Sequence, residues 1–190
     1  MKKLLNPIEF YNDRKLLIAN LIIFVVGTTS AVFLQTTFES PIDMHFSDKI
    51  ELKLTILGNF ISTLSLFLAF FLAGRIINKK TRIIDCLNLG MYFRIPYYIL
   101  AFINISHFLS DEKTNLNIKK KYIFSENQLI EMILAYSMIL FFIGFLIIQG
   151  IIIYRSFKTI ANAKKTTDYL ILVLTILAFI IISTLIIRNL

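Results

Sequence analysis

The chain has 190 residues, of which 57% are hydrophobic and 17% charged, with a mean hydropathy of +0.74. A soluble domain carries roughly 45–50% apolar and about 25% charged residues, so this composition excludes a water-soluble globular enzyme, and the length fits one membrane domain over residues 1–190. The net charge of +8 comes with no aromatic-basic module or zinc spacing, so it reads as membrane topology and contact with anionic lipid headgroups rather than as a nucleic-acid surface.

Taken in chain order, Asn6-Pro7 reads as the N-cap and first position of a short interfacial helix carrying Ile8, Phe10 and Tyr11. Leu16–Phe38 is the first charge-free run long enough to cross a hydrocarbon core. It is too long for a signal-peptide core, and no cleavage site follows it. A polar loop leads to the second run, Leu54–Gly74. Gly27 and Ala31 in the first run, and Gly58, Ser62, Ser65, Ala69 and Ala73 in the second, read as helix-packing faces.

Ile83–Ser110 is long enough to cross but holds Asp85, Arg94 and Pro96. The reading adopted is one span over approximately residues 86–109, kinked at Pro96 because proline removes a helix donor. The alternative is a helix lying in the inner interface, entered from Lys79-Lys80-Thr81-Arg82, which leaves four spans. In the first case Arg94 lies about eight residues into the span, roughly 12 Å deep, as a counter-ion or lipid-phosphate ligand between helices. In the second it sits at the inner headgroups. Asp85 and Arg94 point to opposite helical faces, so Asp85 is expected to meet Arg82, three residues earlier.

Ser125-Glu126-Asn127-Gln128 reads as a capping box opening a span over about 131–154. Thr166, Thr167 or Asp168 caps the last span, about 169–187. The expected fold is therefore an all-α integral membrane bundle of five transmembrane helices, with spans near 16–38, 54–74, 86–109, 131–154 and 169–187. Asn20, Gln35, Asn59, Asn104 and Gln149 are expected to bond between helices. Phe10, Tyr11, Tyr97, Tyr98, Tyr122, Tyr154 and Tyr169 are expected to anchor span ends at the interface.

No catalytic constellation emerges. His45 and His107 fall near outer span ends, no serine–histidine or paired-aspartate arrangement lies within a span, and no phosphate loop is present. The lone Cys86 precludes an internal disulfide and any multi-cysteine metal site. The reading assigns no catalytic, cofactor-binding or metal residue. The candidate intramembrane residues are Arg94, Pro96, Asp85, Asn59 and Gln149. For orientation, Lys2, Lys3, Arg14, Lys15, Arg75, Lys79, Lys80, Arg82, Arg155, Lys158, Lys164 and Lys165 share one side of the five-span arrangement. Lys49, Lys53, Lys113, Lys119, Lys120, Lys121 and Arg188 fall on the other, which places the N-terminus inside and the C-terminus outside. A four-span arrangement keeps a similar excess, so charge does not choose between them.

The layout resembles the Yip family of Ypt/Rab-interacting membrane proteins, prokaryotic type. The resemblance rests on the start Leu5-Asn6-Pro7-Ile8-Glu9-Phe10-Tyr11, the Leu57-Gly58-Asn59 opening of span two, the basic turn Asn78–Arg82, and the run Leu87–Pro96–Leu100. A longer outer loop and a closely spaced final pair of spans complete it. The resemblance implies a five-span α-helical domain with a cytoplasmic N-terminus and no catalytic set. Eukaryotic relatives contact small GTPases, but this chain has only about fifteen residues before span one, which argues against that partner. The Ile-, Lys- and Asn-rich, Trp-free composition leans towards a bacterial cell membrane. The function expected is a non-enzymatic membrane scaffold or partner subunit, associating with lipid headgroups on the cytoplasmic side and with copies of itself or other membrane proteins. The alternative is a small transporter or channel subunit with Arg94 lining a substrate path.

Overall fold

The computed structural model describes residues 5–47, 51–102 and 128–190. Asn104, His107, Tyr122, the Ser125–Asn127 part of the capping box and the end of the third expected span lie outside them. Among the described residues, six helices and one hairpin follow in order: α1 Pro7–Phe10, α2 Asp13–Phe33, β1 Thr36–Ser40, β2 Asp43–Phe46, α3 Leu52–Ile77, α4 Ile83–Ala101, α5 Gln128–Ala161 and α6 Thr166–Arg188.

The ends of these elements follow local chemistry. The Asn12 side chain accepts the Arg14 N–H at 3.0 Å, which satisfies one of the orphan donors that open α2. Pro7 occupies the first turn of α1, but the Asn6 side chain donates to Glu9 and to Thr159 of α5 instead of capping. At α6 the carboxylate of Asp168 reaches back and accepts the N–H groups of Lys164 and Lys165, both at 2.9 Å.

The first span is shorter than its charge-free run. Helix α2 stops at Phe33, Gln35 takes a left-handed φ of 53°, and Thr36 to Phe38 pass into β1. An uncharged run is not a helix signal by itself: β-branched Thr36 and Thr37 followed by Phe38 suit an extended chain. Gln35 accordingly sits in the turn and not within a span. The segment read as a polar loop is thus an antiparallel hairpin, paired Thr36–Phe46, Thr37–His45 and Ser40–Asp43, with a bulge between Thr37 and Ser40. β1 is buried apart from the half-buried Glu39, whereas β2 is mostly exposed.

The strand is seated on α3. The Thr55 hydroxyl donates to the Thr36 carbonyl at 3.1 Å. A Cβ built on Gly58 would stand 2.3 Å from the Phe38 carbonyl oxygen, so only glycine admits the strand so close to the helix. The rest of the small-residue face, Ser62, Ser65, Ala69 and Ala73, is buried as well. α3 packs most extensively on α6, where Ser65 donates to the Phe179 carbonyl. α4 packs on α2 and α3.

Among the described residues, four helical stretches are long and apolar enough to cross a membrane: α2, α3, Ile143–Ala161 within α5, and α6. Their outward faces are apolar, with Ile18, Ile22, Val25 and Val26 of α2 and Leu170, Leu174, Leu177, Ile181 and Leu185 of α6 exposed. A soluble protein would bury such faces, so the chain is a helical membrane protein. α4 is not among the four. It is a 19-residue helix, continuous through Pro96, and it encloses its polar side chains among its neighbours.

Candidate functional site

Eleven of the 19 residues of α4 are buried, because α2, α3 and α5 all pack against it. Arg94 lies in the middle of that enclosure at 0% exposure. Its Nε and Nη2 donate to Asn59 Oδ1 of α3 at 3.1 and 3.0 Å. Nη1 donates to the Pro41 carbonyl at 2.8 Å and reaches the Ser40 carbonyl at 3.5 Å. The guanidinium carbon stands 4.5 Å from the Phe38 ring centre and 5.0 Å from that of Tyr97. Among the described residues no carboxylate pairs with it.

A buried charge costs several kcal/mol to desolvate. Here the compensation is wholly neutral: amide and peptide oxygens as acceptors and two aromatic faces. A hydrogen bond to a charged group contributes about 1.5–3 kcal/mol, and a desolvated cation–π contact about 2, so several together offset the cost without an anion.

A guanidinium only donates, so Asn59 must turn its oxygen towards Arg94. Its Nδ2 then donates to Thr28 Oγ1 at 2.6 Å and to the Tyr98 hydroxyl at 2.9 Å. The Thr28 hydroxyl in turn donates a hydrogen bond to the Phe24 carbonyl at 2.6 Å. The chain of bonds therefore ties α2, α3, α4 and the hairpin tip together through one asparagine. Phe38 meets Tyr98 edge-on at 6.1 Å and closes the cluster from the hairpin side.

The sequence-predicted residues separate into two groups. Arg94 and Asn59 come together. Gln149 of α5 joins the same helix, donating to the Phe93 carbonyl at 2.8 Å, beside Pro96, whose ring takes one N–H out of the helical ladder. Asp85 belongs to a different cluster at the start of α4. There Arg82 donates to Asp85 at 2.8 and 2.9 Å and pairs with Asp13 of α2 at 2.8 Å, as the three-residue spacing anticipated for Asp85. The hydrogen bonds to Asp85 first, then Asp13, hold the Arg82 guanidinium above its ordinary range. Asn20 of α2 extends that cluster by donating to Asn88 Oδ1 at 3.0 Å.

The hairpin and the surrounding helices exclude solvent from Arg94, and one expectation is corrected. Tyr97 and Tyr98 do not anchor an interface: they are 4% and 5% exposed, because their rings wall the guanidinium. Their position three and four residues beyond a mid-helix arginine was the available signal. The contributions of Phe38, Ser40 and Pro41 had none, since they depend on the hairpin folding back.

On the hairpin's open side, the donor atoms of Glu39, Asp43 and His45 lie within 4.8 Å of one another. His45 Nε2 stands 3.2 Å from Asp43 and 3.6 Å from Glu39. Two of the three residues are exposed, and the contacts of the imidazole with both carboxylates account for the cluster. No family model, no curated protein and no solved structure matches this chain.

Proposed function

We propose that the chain is a non-enzymatic, multi-pass membrane scaffold or partner subunit of Yip-like layout, in which Arg94 locks the architecture and binds no substrate. The observation that carries this reading is how the Arg94 donors are used: Asn59 and the hairpin tip take them from within the protein, and the residue is closed to solvent. A substrate-path arginine needs donors facing a cavity. The apolar outer faces of α5 and α6 then meet lipid, further copies of the chain or other membrane proteins.

Five crossings are supported by where the ends of the helices meet. Asp13, opening α2, contacts Arg82 at the start of α4, while Lys53 at the start of α3 donates to the Leu190 carbonyl after α6. Asp13 and Leu190 thus lie toward opposite ends of the bundle, an arrangement that fits an odd number of passes with α4 among them. The basic end, with Lys79, Lys80, Lys164 and Lys165, is then cytoplasmic, in a bacterial cell membrane.

Two measurements test this. In a Cys86→Ala background, cysteines placed at Lys80 and Leu190 are labelled by an impermeant reagent from opposite sides of the membrane; labelling from one side refutes five passes. Arg94→Gln lowers the melting temperature in detergent and weakens self-association seen by cross-linking. A folded, unaltered Arg94→Gln chain that loses anion flux in proteoliposomes instead establishes the transport alternative.

A further inference from the structure

Among the described residues, the hairpin end carries Glu39, Asp43 and Glu51 beside Lys53 and Arg188, whereas the other end of the bundle is rich in lysine and arginine. At the basic end, α3 finishes with Arg75, the following turn carries Lys79 and Lys80, α5 finishes with Arg155 and Lys158, and the turn into α6 carries Lys164 and Lys165. Asp13 and Asp85 at this end are already paired with Arg82.

Between the ends of α3 and α5 and the start of α6 lies a cavity of about 350 Å³ lined by Ile77, Asn78, Ala161, Asn162, Lys164, Lys165 and Asp168. Asn162 has a left-handed φ of 52°, which ends α5 and turns the chain so that Lys164 and Lys165 come to the cavity's rim. Both lysines are exposed, and neither has an ion-pair partner among the described residues. The single acid in the lining, Asp168, spends one oxygen on the N–H groups of Lys164 and Lys165.

We propose that this cavity seats the headgroup of an anionic phospholipid, its phosphate between Lys164 and Lys165 and its chains leaving past Ile77. The inference rests on the membrane-spanning reading above. Three arguments carry it. The cavity lies where three apolar helices begin or end, which is headgroup depth. Its size falls within the roughly 300–1,000 Å³ of small-molecule sites. Its walls pair an apolar floor with two lysines that no carboxylate holds in an ion pair, and basic pockets between transmembrane helices bind such headgroups.

The test uses the full chain purified from membranes, with membrane embedding scored first by its need for detergent extraction. A chain washed off by carbonate overturns the spanning reading itself; an embedded chain without lipid preference overturns this site alone. Retention of phosphatidylglycerol against phosphatidylcholine is then read by native mass spectrometry. Lys164→Gln/Lys165→Gln weakens phosphatidylglycerol retention about thirtyfold, the loss for two lysines at about 1 kcal/mol each. Lys164→Arg/Lys165→Arg retains it, which shows that the site survives replacement. Lys79→Gln/Lys80→Gln, removing equal charge outside the lining, changes it less than about threefold. An equal loss in that control variant, or no loss in the first, overturns the proposal. Displacement of the lipid by millimolar inorganic phosphate assigns the site to free phosphate and likewise overturns it.

Discussion

Two arginines twelve positions apart on one helix are stabilised in opposite ways. Arg82, at the start of α4, has a side chain 58% exposed and grips two carboxylates. Arg94, fully enclosed, grips none, and rests on an amide oxygen, peptide carbonyls and aromatic faces. At the wet end Arg82 and Asp13 keep part of their water, so the guanidinium is held at little desolvation cost and also serves the buried Asp85. In the interior a carboxylate would bring a second desolvation cost. Neutral dipoles fixed by the fold supply the same attraction without it, provided that the fold delivers them. The hairpin makes that delivery, and the bulge-distorted β1 brings Phe38, Ser40 and Pro41 to one guanidinium.

The contrast can be broken at its centre. Replacing Asn59 with Leu removes the acceptor shared by two Arg94 donors and leaves a partly unsatisfied buried cation. We expect a loss of about 3–5 kcal/mol, measured by denaturant unfolding in detergent micelles. Asn59→Asp sharpens the comparison by giving Arg94 the anion that Arg82 already has. The Tyr98 and Thr28 hydroxyls can turn to donate to the new oxygen, so the expected cost is within about 1.5 kcal/mol; a loss as large as that of Leu would mean that the amide's own donation to Thr28 dominates. Next in size is Gly58→Ala, whose methyl meets the Phe38 carbonyl. Overpacking of this kind costs about 1–3 kcal/mol. It should also raise the labelling rate of a cysteine at Phe38 in the Cys86→Ala background, a readout specific to the strand lifting off α3. A smaller effect is expected at the mouth of α4: Arg82→Gln, whose amide can still donate to the buried Asp85, costs about 1–2 kcal/mol. Raising salt to 1 M should shrink the Arg82 contribution while leaving the effect of Asn59→Leu unchanged, because a buried site escapes ionic screening.

Much of the fold was legible because membrane physics is written in composition. The apolar runs located α2, α3, α5 and α6, and the stripe from Gly58 to Ala73 correctly marked a close-packing face. The Arg82–Asp85 pairing followed from helical spacing alone. Boundaries were less legible: the run Leu16–Phe38 hid a helix end at Phe33, because hydropathy does not distinguish a buried strand from a helix. Arg94 and Asn59 could be named as intramembrane polar residues, yet their union could not, since 35 residues separate them and nothing local links them.

The sequence by itself determined that this chain enters a membrane, where most of its helices run, and which end is basic, because those properties depend on short-range composition and charge. Only the tertiary structure decided what surrounds Arg94. Its partners come from α3 and from a hairpin that folds back onto the bundle, and whether a buried charge is a ligand or a lock depends on which donors are already taken.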